Sequence, residues 1–339
     1  LKSSLLFQDE ENKYILQNEA SHLFYRFFFI SVYFTFLIPN KKTFVKRLTD
    51  LFEKEQPDLV ISVIPLLNNA IIAAVNTMNQ SYPFLIIQTD LFQYEEKSWF
   101  WKWFVPATWF VKDKNTLMAS GTKKGYQQAL HYNLDKDKLM QLSGNVIDPR
   151  FLKPQAIDIQ SEYKKLGLKK DRPTGLFLYG GCAPNRIFKL AQQLDRLNVE
   201  AQFIFICGRN EELKNRLSHL KTNYKKVVIG YSTEIPYYMQ LADFLVGKPG
   251  PGVIMEGLAL NLPLLLDVSR VILHEAENAP WLEQQGYGLQ FNTAAQLNQQ
   301  IQRLNSEHDR FKASVTRFRN NAIFEITNKI EQLLYNAKV

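Results

Sequence analysis

Cysteine is scarce: Cys182 and Cys207 are the only two, and each closes an apolar run. Two thiols so placed form neither a disulfide framework nor a zinc ligand set, and they favour a reducing compartment. Long hydrophobic runs are also lacking. The longest, residues 23–38, falls short of the roughly 20 residues that a spanning helix needs, and Arg26 interrupts it. Asp9-Glu10-Glu11 stand where a signal peptide would carry its apolar core, so no such peptide is read, and a start at Leu1 without Met suggests a truncated chain. No Gly-Lys-Ser/Thr follows a glycine loop, which removes a Walker-type NTPase; Gly180-Gly181 lacks the later glycine of a dinucleotide fingerprint. No block resembles a motif that reads RNA or DNA. The excess of 41 Lys and Arg over 33 Asp and Glu, a net charge of +8, therefore favours an acidic membrane surface or a nucleotide as partner.

The chain is long enough for two domains, and its 46% apolar and 22% charged residues suit a globular protein. Residues 12–56 read as helices, with a basic stretch at Lys41, Lys42, Lys46 and Arg47. A strand at 59–64, a helix at 69–78 and a strand at 84–87 follow, then apolar runs at 107–111 and 116–119, a helix near 121–132 and an apolar run at 139–142. The Lys-rich, proline-bounded segment 152–173 reads as a helix-containing linker. Beyond it, strands at 175–179, 202–207, 226–230, 243–247, 263–267 and 287–291 alternate with helices at 185–197, 209–221, 234–241, 253–260 and 276–285, and helical patterns at 293–304 and 308–336 close the chain. Such alternation implies a parallel sheet covered on both faces, with ligands beyond the carboxyl ends of its strands.

The stretch from Phe244 to Glu256 organises this half. An apolar strand stops at Lys248-Pro249-Gly250-Pro251-Gly252, and a helix is expected from about Val253 with Glu256 in its first turn. A strand–glycine turn–helix unit aims unpaired amides and the positive end of the helix dipole at one spot, which suits a phosphate. The prolines offer no donor, leaving Gly250, Gly252, Val253 and Ile254, and Glu256 suits the two hydroxyls of a ribose. The alternative is a tight turn with a dipole-capping Glu.

Other turns at the same sheet edge divide similarly. Gly180-Gly181 is a loop-forming pair or a nucleotide contact; Arg209 meets a phosphate or covers surface. His274, Glu275 and Asn278 either bond sugar hydroxyls or form a solvated helix start. Trp99, Trp101, Trp103 and Trp109, with Lys102 among them, read as an interfacial membrane patch or as a loop buried under a domain interface.

Taken in order, Cys207-Gly208-Arg209-Asn210, then Lys248 to Gly252 with Glu256, then His274-Glu275 with Asn278 resemble the donor domain of galactolipid synthases. These belong to glycosyltransferase family 28, as does the enzyme that adds N-acetylglucosamine to the peptidoglycan lipid precursor. The segment from Pro57 to Pro65, Thr89-Asp90-Leu91 before Trp99-Phe100, and Gly144-Asn145 to Phe151 are similar to that family's acceptor side, so the likeness runs from about residue 57 to 290. The resemblance implies an α/β GT-B fold, two Rossmann-like domains with parallel sheets facing a central cleft. Residues 1–151 would form an acceptor- and membrane-facing domain, 152–173 a linker, 174–308 a UDP-sugar donor domain, and 309–339 a C-terminal helix returning to the first domain.

It further implies inverting transfer of a hexose from a UDP-sugar, as substrate rather than cofactor, to a lipid such as diacylglycerol. The protein would sit on the inner face of the cell membrane and use no metal. The glycine turn would hold the diphosphate and Glu256 the ribose; Gly180, Gly181, Gly208, Arg209 and Asn210 would line the nucleotide site, with backbone near Gly230 reading uracil. Residues 274–278 would touch the sugar, Pro65, Thr89 and Trp99 would face the acceptor, and Asp90, or secondly His274, would be the base. The family's Gly-rich strand–loop bearing a His is absent, and His274 stands where its sugar loop has Gln. A non-catalytic UDP-binding protein, an inactive fragment, and N-acetylglucosamine transfer to a peptidoglycan lipid precursor stay open. The oligomeric state is not readable.

Overall fold

A computed structural model describes residues 41–78, 82–93, 109–180 and 184–336. The helices expected before residue 41, Gly181, Cys182, Trp99, Trp101 and Trp103 lie outside the described residues. Among the described residues the chain divides into two compact units: first, those from 41 to 147 joined by 320–336, and second, Asp148–Arg319.

In the first unit, helix α1 (Lys41–Glu55) leads to β1 (Val60–Ser62), α2 (Asn68–Val75), β2 (Phe84–Gln88), β3 (Thr116–Ser120), α3 (Lys123–His131) and β4 (Leu139–Gln141). The strands form a parallel sheet in the order β1-β2-β3-β4. Strand β2 is apolar at successive positions because both faces are covered. Phe84 and Ile86 pack with Phe52, Ile72 and Met118, whereas Leu85 and Ile87 pack with Ala322 and Ile326 of the C-terminal helix Ala322–Asn336.

Trp109 corrects the interfacial reading at its own position. It is 1% exposed, within the core, and its indole Nε1 donates to Asp90 Oδ2 at 2.8 Å. Residues around 107–111 form no strand where the structure describes them. The 308–336 pattern also splits. One helix ends at Arg317, Phe318 turns extended, and Asn320 Oδ1 accepts from Ala322 N at 3.0 Å to start the next helix.

The second unit holds α4 (Ile159–Leu166), β5 (Thr174–Leu178), α5 (Pro184–Arg196), β6 (Gln202–Ile206), α6 (Glu211–His219), β7 (Lys226–Ile229), α7 (Ile235–Gln240), β8 (Phe244–Gly247), α8 (Pro251–Ala259), β9 (Leu264–Asp267), α9 (Asn278–Gln284), β10 (Gly288–Phe291), α10 (Ala294–Ser306) and α11 (His308–Arg317). All six strands expected there form, in one parallel sheet ordered β10-β9-β8-β5-β6-β7. Phe177, Phe203, Phe205, Phe244 and Phe291 fill one face beneath Leu190, Leu194, Leu297 and Ile301.

Segment 152–173 is not a free linker. Tyr163 on α4 is buried, and its hydroxyl bonds Thr174 Oγ1 and Leu241 O, both at 2.8 Å, so the segment packs into the second unit. Amphipathic spacing and lysines mark a surface helix equally well in a linker or on a domain, and only the tyrosine's buried partners decide.

Gly288 shows how tightly the last strands meet. A Cβ there would stand 1.9 Å from Leu264 O, in register between β9 and β10. Gly288→Ala is expected to cost about 1–3 kcal/mol, the usual range for overpacking. Gly252→Ala, where a Cβ meets nothing within 4 Å, is expected to cost nothing. Urea midpoints of the two variants check this.

Candidate functional site

In the second sheet the chain runs β5→β6→β7 to one side, then returns to β8→β9→β10 on the other. The direction reverses between β5 and β8, and the crevice at such a switch point is where parallel α/β sheets bind ligands. Because all strands are parallel, the turns after β9, β8, β5, β6 and β7 lie along one edge in that order. They carry Glu275 and Asn278, then Lys248 to Gly252, then Gly180, then Gly208-Arg209-Asn210, and finally Gly230. Thus every candidate donor residue that the structure describes shares one edge of one sheet.

At the switch point, α8 begins two residues earlier than its pattern suggests. Pro251 is its first residue and extended Gly250 (φ −69°, ψ 138°) its cap. Proline favours a first helical position because its φ is preset and its missing N–H would be unpaired there. Glu256 therefore falls in the second turn, not the first. The donor set narrows too. Gly250 N donates to Lys248 O at 2.8 Å and Ile254 N to Gly250 O at 3.1 Å, leaving the amides of Gly252 and Val253 without an acceptor. Gly252 is exposed and Val253 half-buried.

Flanking groups accept and orient. Glu275 is 6% exposed, with Oε1 3.5 Å from where a Gly250 Cβ would stand. Asn278 is 1% exposed; its Nδ2 donates to Pro249 O at 2.8 Å, and its Oδ1 has no hydrogen-bond partner. A buried, unmet acceptor beside the turn is costly unless a ligand or water completes it. His274 is half-buried on the short turn Leu273–Glu275.

Burial, and secondly the charge of Asp148, push the Glu256 carboxyl up to about 7. Asp148 itself stays ionised: side-chain hydrogen bonds from Arg150 hold it below the usual carboxylate range. Arg150 also donates to Thr233 O at 3.0 Å. Asp148 lies inside the motif ending at Phe151, but its electrostatic hold on Glu256 was not visible in sequence.

Further along, Gly180 has φ +62° and Gly208 φ +58°, left-handed turns that glycine adopts without strain. Asn210 is partly committed, since its Oδ1 caps α6 by accepting from Leu213 N at 2.8 Å. Arg209 precedes that helix rather than opening it, and lies over the exposed Tyr231 ring at 4.8 Å.

In the first unit, Thr89 and Asp90 follow β2, and Pro65 opens a short turn after β1. Thr89 Oγ1 donates to Val63 O at 3.3 Å, and Asn145 Nδ2 donates to Thr89 O at 2.6 Å. Asp90 is half-buried and held by Trp109, which fixes one carboxylate oxygen. The Asp135-Lys136-Asp137 triplet, an Asp-x-Asp spacing, lies exposed on a turn just before Lys138. Among the described residues no three His, Cys, Asp or Glu cluster to hold a metal, and no helix is long and apolar enough to cross a membrane.

The architecture is that of GT-B glycosyltransferases. Acinetobacter baumannii MurG superposes with a TM-score of 0.59 at 14% identity, over 85% of this chain and 77% of its own, a likeness of fold alone. Residues 176–333 match the glycosyltransferase family 28 C-terminal domain, and this chain carries that domain. Two curated relatives agree. A probable chloroplastic monogalactosyldiacylglycerol synthase of Glycine max is 29% identical over 69% of this chain and 43% of its own length. A processive diacylglycerol beta-glucosyltransferase of Staphylococcus saprophyticus is 26% identical over 76% of this chain and 61% of its own. The chain thus spans about half the length of the curated relatives it matches.

Proposed function

We propose that the protein transfers a hexose from a UDP-sugar to a hydroxyl of a membrane lipid such as diacylglycerol. The observation that carries this reading is the pair of unpaired amides, Gly252 and Val253, opening α8 at the switch point. They meet the diphosphate, where the dipole of the helix adds to them. Glu256 takes the ribose hydroxyls, and Glu275 with the unmet Oδ1 of Asn278 takes hydroxyls of the sugar.

In the reaction, Asp90 accepts the proton of the acceptor hydroxyl as its oxygen attacks the anomeric carbon from the face opposite UDP, inverting it. Charge building on the leaving diphosphate is met by the two amides, already oriented, so metal assistance is not required. Trp109 holds one oxygen of Asp90 and leaves the other for the proton. Exposed Lys42, Lys46 and Arg47 on α1, with the net charge of +8, support residence at an anionic lipid surface on the inner face of the membrane.

The test is a panel of UDP-sugars incubated with the protein and vesicles of anionic lipid containing diacylglycerol, with UDP affinity measured in parallel. Glycolipid product is the expected result. UDP binding without product from any sugar would favour a non-catalytic nucleotide-binding protein, and product only with a peptidoglycan lipid precursor would reassign the acceptor.

A further inference from the structure

Beneath the glycine turn lies a buried network that none of the donor assignments uses. Asp267 ends β9 and is 3% exposed. Its Oδ2 accepts from Tyr179 OH at 3.0 Å and from Arg186 Nε at 2.7 Å. Its Oδ1 accepts from Arg186 Nη2 at 3.1 Å, Ser269 N at 3.1 Å and Ser269 Oγ at 2.6 Å. Arg186 Nη2 also donates to Asn292 O at 2.6 Å, just beyond β10.

The sheet register gives this network its meaning. Gly247, the last residue of β8, pairs with Leu178 of β5 on one side and Leu266 of β9 on the other. The next residues, Tyr179 and Asp267, therefore flank Lys248, where the glycine turn begins. Their side chains, joined by that hydrogen bond, bridge two inter-strand gaps, about 10 Å, past the end of β8. Lys248 is thus framed by two strands that are tied to each other. Arg186 extends the tie to the first turn of α5, the helix that follows the Gly180 turn. A cation near a helix N-terminus opposes the dipole, so Arg186 is tolerated there because Asp267 neutralises it.

Stability alone is a poor reason for this arrangement. A well-packed apolar replacement of a buried ion pair is often as stable or more so. What a saturated carboxylate supplies is fixed geometry, and it supplies it at the one edge where two ligand-facing turns must keep register. We infer that Tyr179, Asp267 and Arg186 are positioning residues that lock the Gly180 turn and the Lys248–Gly252 turn into one diphosphate-binding frame. This rests on the donor-site reading proposed above.

The experiment measures UDP affinity, melting temperature and hydrogen exchange at the bonded amides of Gly250 and Ile254 in the whole chain. Tyr179→Phe removes the cross-strand bond, keeps the ring stacked near Phe177, and leaves the ion pair intact. Asp267→Asn alone leaves the half-buried Arg186 guanidinium without its counter-charge and is the variant expected to misfold, so the double variant R186M/D267N, which removes both charges, is used instead. The expected result is a UDP affinity lower by about fivefold in Y179F and by about tenfold or more in R186M/D267N, a tenfold change being about 1.4 kcal/mol. Exchange at Gly250 and Ile254 quickens while both variants melt as folded proteins. UDP affinity and exchange that match wild type in folded R186M/D267N would overturn the positioning role and leave the donor site standing. Wild-type protein that does not bind UDP would overturn the donor reading and this inference with it, and the exchange data would still report whether the turn had loosened.

Discussion

Gly252→Asp is expected to weaken UDP binding by about a hundredfold or more, with the protein no less heat-stable than wild type. The two outcomes oppose each other because the same feature causes both. Gly252 is exposed, and a Cβ added there meets nothing within 4 Å, so the fold accepts a side chain. Replacing a helical glycine recovers about 0.5–1 kcal/mol, and a carboxylate in the first turn adds about 0.3–1 kcal/mol through the dipole. That carboxylate also occupies the space in front of the amides of Gly252 and Val253, the only ones at this helix start without an acceptor. Against a pyrophosphate about 5 Å away it costs about 3 kcal/mol per unit charge at an effective dielectric of 20, and a hundredfold loss needs about 2.8 kcal/mol. Gly252→Asn, equal in size and uncharged, is the control and should lose less than tenfold. Calorimetric titration with UDP and thermal melts of the three proteins decide it. Equal affinity in the Asp variant and wild type would mean that the diphosphate binds elsewhere.

The second large effect belongs to Glu256 and depends on pH. Burial, then Asp148, raise its carboxyl from 4.5 to about 7 in the folded protein. A carboxyl whose folded value is raised contributes stability that is complete below its unfolded value of 4.5 and is lost as pH rises through about 7. Glu256→Gln, which cannot ionise, should therefore melt like wild type at pH 4.5 and several degrees higher at pH 8.5. The shift corresponds to at most about 3.4 kcal/mol, and each kcal/mol is worth about 2–4 °C in a domain of this size.

Binding should run the other way. In the proposed donor site the ionised carboxylate would accept from both ribose hydroxyls, and charge-assisted bonds contribute about 1.5–3 kcal/mol, so E256Q should bind UDP about tenfold more weakly at pH 8.5. As pH falls through about 7, wild type loses that advantage and the two proteins converge. The terminal phosphate of UDP titrates in both and cancels in the comparison. If the difference in UDP affinity stays flat from pH 5.5 to 8.5, Glu256 does not hold the ribose in its ionised form.

How far the sequence carried can be judged from particular residues. Strands β5 to β10 were legible because each is a short apolar run bounded by turn residues and separated by a helix-length polar–apolar pattern. The strand–turn–helix at Lys248 to Gly252 was legible for the same reason, since Pro and Gly restrict backbone geometry wherever they stand. The exact start of α8 was not, because a pattern of apolar positions cannot tell whether Pro251 ends the turn or begins the helix. Which amides remain unpaired then follows from that one choice. For Trp109 the sequence left an interfacial patch and a buried loop both open, since an indole near lysine looks alike on a surface and in a core until its N–H partner, Asp90, is known. Asp267 left one trace, a lone acid closing an apolar strand. Its partners Tyr179 and Arg186 are 88 and 81 residues away along the chain, beyond any local pattern.

By itself the sequence determined the alternation of strands and helices, the parallel sheet that alternation requires, and the sheet edge on which its candidate ligand residues stand. These depend on periodicity and turn chemistry, which act over a few residues. Strand order decided the rest. It put the reversal of direction between β5 and β8 and framed Lys248 between Tyr179 and Asp267. Packing then half-buried Glu256 within reach of the Asp148 charge and raised its carboxyl. Those are contacts between residues far apart in the chain, and only the folded molecule brings their charges and hydrogen bonds within reach.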